Sequence, residues 1–197
     1  MGHLTVREAS LADASRILEI YTPYILETTY TFEYEVPSLT EFEQRMVRIM
    51  ERFPWLVCEE EGRIVAYAYA GTYMSRAAYD WCADLSIYVE QQKRGQGIGL
   101  LLYRALFAVL KEMHIQNLYA VITEENQESV RFHEKLGFEI FAVYSKVGYK
   151  HGKWLDVIWM QAFLGEHSLP PEPVIWAPEL PEGKVREMIR QSIEEHS

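Results

Sequence analysis

One turn constrains this chain more than any other stretch. Arg94-Gly95-Gln96-Gly97-Ile98-Gly99 joins an apolar strand-like run, Asp80 to Val89, to an apolar helical run, Leu100 to Met113. Glycines let several backbone N–H groups point at one place without Cβ obstruction. A helix beginning there adds a partial positive charge of roughly half a unit. Together they form a cradle for a pyrophosphate. A lone glycine would suit a tight turn with no ligand equally well, whereas three at alternate positions behind a basic residue point to a bound phosphate. The dinucleotide-binding alternative fails, because the strand before the turn lies mid-chain and no second strand–helix–strand unit with an acidic ribose binder follows. The P-loop alternative fails for want of Gly-Lys-Ser/Thr.

The rest of the pattern says what surrounds that turn. Leu4 to Ala9 alternates like a strand, and Ser10 with Asp13 resembles a weak capping box ahead of a helix carrying Ile17, Leu18, Ile20 and Tyr21. A Thr- and Tyr-rich loop, Thr28 to Val36, leads to Pro37-Ser38 and a second helix with Leu39, Phe42, Met46 and Ile49. Trp55 to Glu59 and Arg63 to Ala70 read as hairpin partners about Glu61-Gly62. Leu118 to Thr123, Phe138 to Val147 and Trp154 to Phe163 read as strands, and Glu128 to Leu136 as a helix. Early hairpins and one central strand–helix–strand unit predict a mostly antiparallel mixed α/β (α+β) sheet with helices on both faces. Residues 1–164 are expected to form the domain. Residues 165–197 are expected to form a Pro-rich extended tail, closed by a short helix from Glu182 to Glu195.

Composition narrows the partners. The 197 residues carry a formal net charge of −10, which repels nucleic-acid phosphates overall and argues against DNA or RNA binding. A local basic patch for one phosphorylated ligand remains compatible with that charge. No apolar run of membrane-spanning length and no secretory leader pattern is found, so neither a membrane partner nor secretion is expected. Cys58 and Cys82 cannot make a disulfide framework and suit a reducing, cytoplasmic setting.

Arg94-x-x-Gly97-x-Gly99 resembles the acetyl-CoA pyrophosphate motif of the GCN5-related N-acetyltransferase superfamily. Longer blocks resemble its phosphinothricin N-acetyltransferase family. These are Thr31-Phe32-Glu33, Pro54 to Val57, Ala66 to Ala70, Arg76-x-Ala78-Tyr79-Asp80-Trp81, Ser86 to Val89, Ser129 to Phe138 and Gly148-Tyr149-Lys150-His151-Gly152-x-Trp154-x-Asp156-Val157. They run in the family's order over roughly residues 4–163 and leave the tail after Gly165 uncovered. The resemblance implies acetyl-CoA as co-substrate, no metal, a small-molecule amine as acceptor and a homodimer. It also implies a sheet splayed at the acetyl-CoA site.

Residue by residue, the resemblance assigns the pantetheine arm to the backbone of Ile87, Tyr88 and Val89 and the pyrophosphate to Arg94, Gly95, Gln96, Gly97, Ile98, Gly99 and Leu100. Asn126 matches a further cofactor position. Asp84 lies two residues before Ser86 on the same strand face. It matches a position where the family has a glutamate general base. Aspartate is one methylene shorter, so an ordered water would carry the proton. A carboxylate in an apolar strand is costly without a purpose, although holding a strand neighbour is the plainer role. His133 matches the position of an acid for the departing thiolate; near neutrality both states of an ordinary imidazole are reachable, and a satisfied core histidine is the competing reading. His151, in the Lys150-His151-Gly152 turn, is read as structural. Arg76 matches a residue that pairs with the acceptor's carboxylate. Tyr79, Ser86 and Tyr88 would line the acceptor pocket, with Phe32 and Val157 closing it from a partner subunit; Tyr79 and Trp81 equally suit a core or a dimer interface. Met74 stands where some relatives carry lysine, and Lys150 is a candidate replacement cation. Acetylation of another small amine or a protein terminus, or a non-catalytic acyl-CoA-binding role, are the competing functions.

Overall fold

In the computed structural model, residues 3–194 are described. Their hydrophobic periods resolve into seven strands and five helices. The strands are β1 (Leu4–Glu8), β2 (Trp55–Glu60), β3 (Arg63–Thr72), β4 (Cys82–Val89), β5 (Asn117–Thr123), β6 (Glu139–Lys150) and β7 (Lys153–Phe163). The helices are α1 (Ala14–Glu27), α2 (Leu39–Met50), α3 (Ile98–Glu112), α4 (Gln127–Lys135) and α5 (Lys184–Glu194). The expected end of the last helix at Glu195 lies outside the described residues.

All seven strands join one sheet in the order β1-β2-β3-β4-β5-β7-β6, the mostly antiparallel mixed sheet that the sequence predicts. Every pairing is antiparallel except β4 with β5. That parallel pairing is short. It joins only Cys82, Ala83 and Asp84 to Asn117, Leu118 and Tyr119, so from Leu85 onward β4 stays paired with β3 but parts from β5. A parallel pair needs a crossover, and here α3 supplies it. The Gly-rich turn therefore sits where the two strands diverge.

Alternation along the strands separates two cores. Ala83, Leu85, Leu118, Ala120, Ile122, Ile158 and Met160 meet α3 on one face, with Leu102, Leu106, Val109 and Leu110 fully buried against them. On the other face, Val57 and Tyr67 meet Ile17, Tyr21, Tyr24 and Phe42 of α1 and α2. Two capping boxes set the helix starts on this second face. The Asp13 carboxylate accepts from the Ser10 N–H at 2.7 Å, and Glu41 accepts from the Ser38 N–H at 2.8 Å. On this face α1 packs on β3 and β4 and α2 on β2 and β3, while the 28–36 loop reaches across to β6.

The segment after Leu164 is tied down along its length. The Trp81 indole N–H donates to the Glu172 carbonyl at 2.8 Å, and the Ile175 N–H to the Met113 carbonyl at 3.1 Å. Trp176 packs edge-on to Phe53, with the Arg52 guanidinium 4.8 Å from its ring centre. Leu180, Val185 and Ile189 then bury themselves in the α3 core. Among the described residues no helix is long and apolar enough to cross a membrane.

Candidate active site

The divergence of β4 from β5 opens a cleft of about 350 Å³. Its walls are Leu85 to Val89 of β4, Ala120 to Ile122 of β5, the turn and first residues of α3, and Asn126, Ser129, Phe132 and His133 around α4. Of the residues singled out by sequence, Ser86, Ile87, Tyr88, Val89, Arg94, Gly95, Gly97, Ile98, Gly99, Leu100, Asn126 and His133 all line it. Gln96 and Asp84 do not; the Gln96 amide donates back to the Gln92 carbonyl at 3.3 Å, and Asp84 lies one residue beyond the cleft wall at Leu85.

Gly97 is the residue that starts α3. Its φ of 81° is left-handed, a conformation that strains any residue with a Cβ. No side chain caps this end of the helix. The first-turn N–H groups thus lack an intrahelical partner, and Gly97 to Leu100 line the cleft, an arrangement that suits a phosphate ligand. Arg94 is exposed beside it, its guanidinium 5.6 Å from the centre of the Tyr24 ring and 5.7 Å from that of Tyr30. Asn126 caps α4, its side-chain oxygen accepting from the Ser129 N–H at 3.3 Å.

The free edge of β4 is shorter than the sequence reading assumed. The Tyr24 hydroxyl donates to the Val89 carbonyl at 2.5 Å and lies 3.4 Å from the Val89 N–H. Val89's backbone therefore already has a partner, and an extended ligand pairing with this strand meets Ile87 first. The Tyr88 ring is packed among Tyr21, Tyr24 and Tyr67, with centroids 4.8 to 5.3 Å away, so it is a core residue as well as a cleft wall.

Asp84 is the last β4 residue paired to β5. Cross-strand neighbours share a face, so Gly71 of β3 and Tyr119 of β5 flank it, and Ser86 follows two residues along. Its Oδ1 is shut away from solvent and has no hydrogen-bond partner. Burial pushes its carboxyl up to about 6, offset in part by the Leu85 backbone N–H. A carboxylate titrating there takes up a proton at neutral pH more readily than an ordinary aspartate.

His133 departs from expectation in its protonation state. Burial lowers its pKa to about 4, although its hydrogen bond to the Ser129 backbone opposes the shift. The ring is neutral near pH 7 rather than balanced between two states. Nδ1 lies 2.8 Å from the Ser129 carbonyl, which only accepts, so Nδ1 carries the proton. Nε2 is then the acceptor for the Tyr103 hydroxyl at 3.1 Å. The proton available from this pair sits on Tyr103, which also lines the cleft.

The acceptor-side residues are spread more widely. Arg76 and Met74 are exposed in the loop after β3, and Tyr79 is half-exposed just beyond. Phe32 packs against Gly148 of the same chain so closely that a methyl group there would clash. Val157 is buried within the same chain. Lys150 is not a spare cation. It is almost fully buried, and its ammonium donates to the Ile25 and Thr31 carbonyls, both at 2.8 Å, which pins the 28–36 loop to β6. Tyr24, Tyr30, Tyr103 and Phe132 were invisible to sequence reasoning as site residues. In sequence they are ordinary members of apolar helix faces and a polar loop, and only the fold brings them to the cleft.

Residues 6–159 match the Acetyltransferase (GNAT) domain. The chain is 36% identical over 170 residues to a phosphinothricin N-acetyltransferase of Streptomyces viridochromogenes, spanning 86% of this chain and 92% of that one. It is 32% identical over 168 residues to an L-methionine sulfoximine/L-methionine sulfone acetyltransferase of Salmonella typhimurium, spanning 85% and 98%. Its structure is similar to that of a GNAT superfamily phosphinothricin acetyltransferase from Sinorhizobium meliloti in complex with acetyl-CoA, with a TM-score of 0.82 and 34% identity over 89% of this chain and 96% of that one.

Proposed function

The chain belongs to the GNAT acetyltransferase family, and from that premise we propose that it moves the acetyl group of acetyl-CoA to the amine of a small amino-acid-like acceptor. The observation that carries this reading is the wedge between β4 and β5, which has the uncapped start of α3 at one end and Asp84 near the other. Acetyl-CoA supplies an activated acyl group on a thiol leaving group. The residues present fit it: the Ile87 edge for an extended arm, and Arg94, Gly95, Gly97, Ile98, Gly99 and Leu100 with Asn126 for the phosphate end.

In this reading Asp84, directly or through a water, takes the proton from the acceptor's ammonium and so exposes its lone pair. The amine nitrogen then bonds to the thioester carbonyl carbon and the C–S bond breaks. The Tyr103 hydroxyl, held by His133, steadies the departing sulfur, which ends as a thiol. Arg76 pairs with the acceptor's carboxylate. Tyr79, Ser86 and Tyr88 border the acceptor, and Phe32 and Val157 brace that end of the site. Domain organisation follows the same reading: residues 1–164 carry the transfer chemistry, and the segment from 165 buttresses α3.

Arg76 offers a planar fork suited to one carboxylate, and Met74 offers no second cation. The acceptors that fit are methionine sulfone or sulfoximine rather than phosphinothricin, whose extra anionic charge would be poorly paired. The preference in kcat/KM should reach about tenfold. Met74→Lys should narrow it; a better rate with phosphinothricin that Met74→Lys leaves unchanged would refute the charge argument. We also place the protein in the cytoplasm, given the free buried thiols of Cys58 and Cys82. It would act there as a homodimer that covers the exposed Ile140, Val143 and Val147 of edge strand β6. Sedimentation at micromolar concentration tests the dimer, and a monomer would contradict it.

A further inference from the structure

Next to Asp84, the cross-strand Gly71 leaves a niche on the sheet face: a Cβ built there would meet nothing closer than the Asp84 carbonyl at 4.0 Å. Tyr119, on the other side of Asp84, stacks on Tyr73 with ring centres 3.9 Å apart and planes 13° apart. Trp159 stands edge-on to Tyr73 at 6.1 Å, and Tyr79 does so at 6.2 Å. Val121 stands between this niche and the cleft: it lines the cleft, is exposed, and is the cross-strand partner of Trp159.

Resting on the acetyltransferase reading above, we propose that this niche holds the acceptor's side chain, and that the acceptor class it selects includes α-amino acids with aromatic side chains. Three features support that occupant. The wall is built from rings in stacked and edge-on arrangements, the geometries in which a further ring packs well. None of Gly71, Tyr73, Tyr79, Tyr119 and Trp159 is a lysine or arginine, so the wall itself offers an anionic side chain no ion-pair partner. Placing a ring beside Gly71 also puts the α-amine close to Asp84, while the α-carboxylate extends toward the loop that bears Arg76. In this arrangement Gly71 acts as a specificity residue by being absent as a side chain.

The test is a panel of acceptors with acetyl-CoA, with products identified by mass spectrometry. It includes phenylalanine, tryptophan, methionine sulfone, glutamate and a simple alkylamine. The wild-type protein should acetylate phenylalanine or tryptophan at least tenfold better in kcat/KM than glutamate. Gly71→Val fills the niche, and its backbone is not left-handed, so the fold should tolerate it. It should raise KM for the aromatic acceptor tenfold or more with acetyl-CoA affinity unchanged. Tyr119→Ala, which removes the stacked wall instead, should do the same. Acetyl-CoA affinity measured by calorimetry serves as the folding control for both variants. Turnover of methionine sulfone with none of the aromatic acceptors would overturn the niche and leave the acetyltransferase reading standing, as would Gly71→Val and Tyr119→Ala both leaving KM unchanged. Failure to bind acetyl-CoA at all would overturn the reading beneath it.

Discussion

Asp84→Asn should make the protein more stable and nearly inactive, and the gain in stability should depend on pH. Burial raises the Asp84 carboxyl from 3.8 to about 6. Its ionised form is thus disfavoured in the fold relative to the unfolded chain. The penalty is absent below pH 3.8, grows between 3.8 and 6, and is complete above about 6. A shift of about 2 units at ~1.36 kcal/mol each amounts to about 3 kcal/mol. Asparagine keeps the shape and cannot ionise. At pH 8 the variant should therefore be more stable by about 3 kcal/mol, or roughly 6 to 12 °C in Tm for a chain of this size. At pH 4 the two should nearly coincide. Urea unfolding at pH 4, 6 and 8 reads the stability, and thiol release from acetyl-CoA reads the activity. Turnover should drop by about 10²- to 10⁴-fold, the usual worth of a general base, with acetyl-CoA affinity unchanged. In the wild type, kcat/KM should fall as pH drops below about 6, because the base is then protonated. A variant equally stable at pH 8, or one with wild-type turnover, would refute the reasoning.

Other perturbations probe separate parts of the structure. His133 is held at about 4 against an ordinary 6.5, so its contribution is present above pH 6.5 and is lost as pH falls toward 4. His133→Gln should remove about 3 kcal/mol of that acid sensitivity, as seen by urea unfolding, and should leave the limb of the activity profile near pH 6 in place. Lys150→Met strands the Ile25 and Thr31 carbonyls and should cost about 3 kcal/mol by chemical denaturation. Truncation after Leu164 uncovers the α3 surface beneath Leu180, Val185 and Ile189 and should cost roughly 5 kcal/mol. A truncated protein with unchanged Tm would show that the tail is not part of the core.

Most of the strand and helix order was legible in the sequence because each element carries its own period. Alternation gave the β2–β3 hairpin, and helical spacing gave Phe42 and Met46 on one face of α2, both fully buried. The Gly-rich turn was legible as the entry to α3, because alternate glycines suit the left-handed backbone that Gly95 and Gly97 adopt there. Three features could not be read that way. The Tyr24 hydroxyl's hold on Val89 joins residues 65 positions apart, and no local pattern encodes it. The burial that keeps His133 neutral comes from Tyr103, Phe132 and Phe138 closing round its ring, which spacing on α4 alone does not show. Proline-rich composition after Gly165 spelled an extended tail, yet Trp176, Leu180 and Ile189 anchor it through contacts with α3 and the start of the fold. Composition reports the backbone's preference, whereas docking depends on which distant surface is left bare.

The central claim is acetyl transfer within the β4–β5 cleft, and free-thiol release from acetyl-CoA with and without an amino-acid panel tests it most directly. Thiol release should depend on an added amine and yield the N-acetylated acceptor in equal amount. It should vanish in Gly97→Trp, where bulk blocks the phosphate cradle, together with acetyl-CoA binding by calorimetry. Amine-independent release alone, or full binding and turnover in Gly97→Trp, would contradict the account.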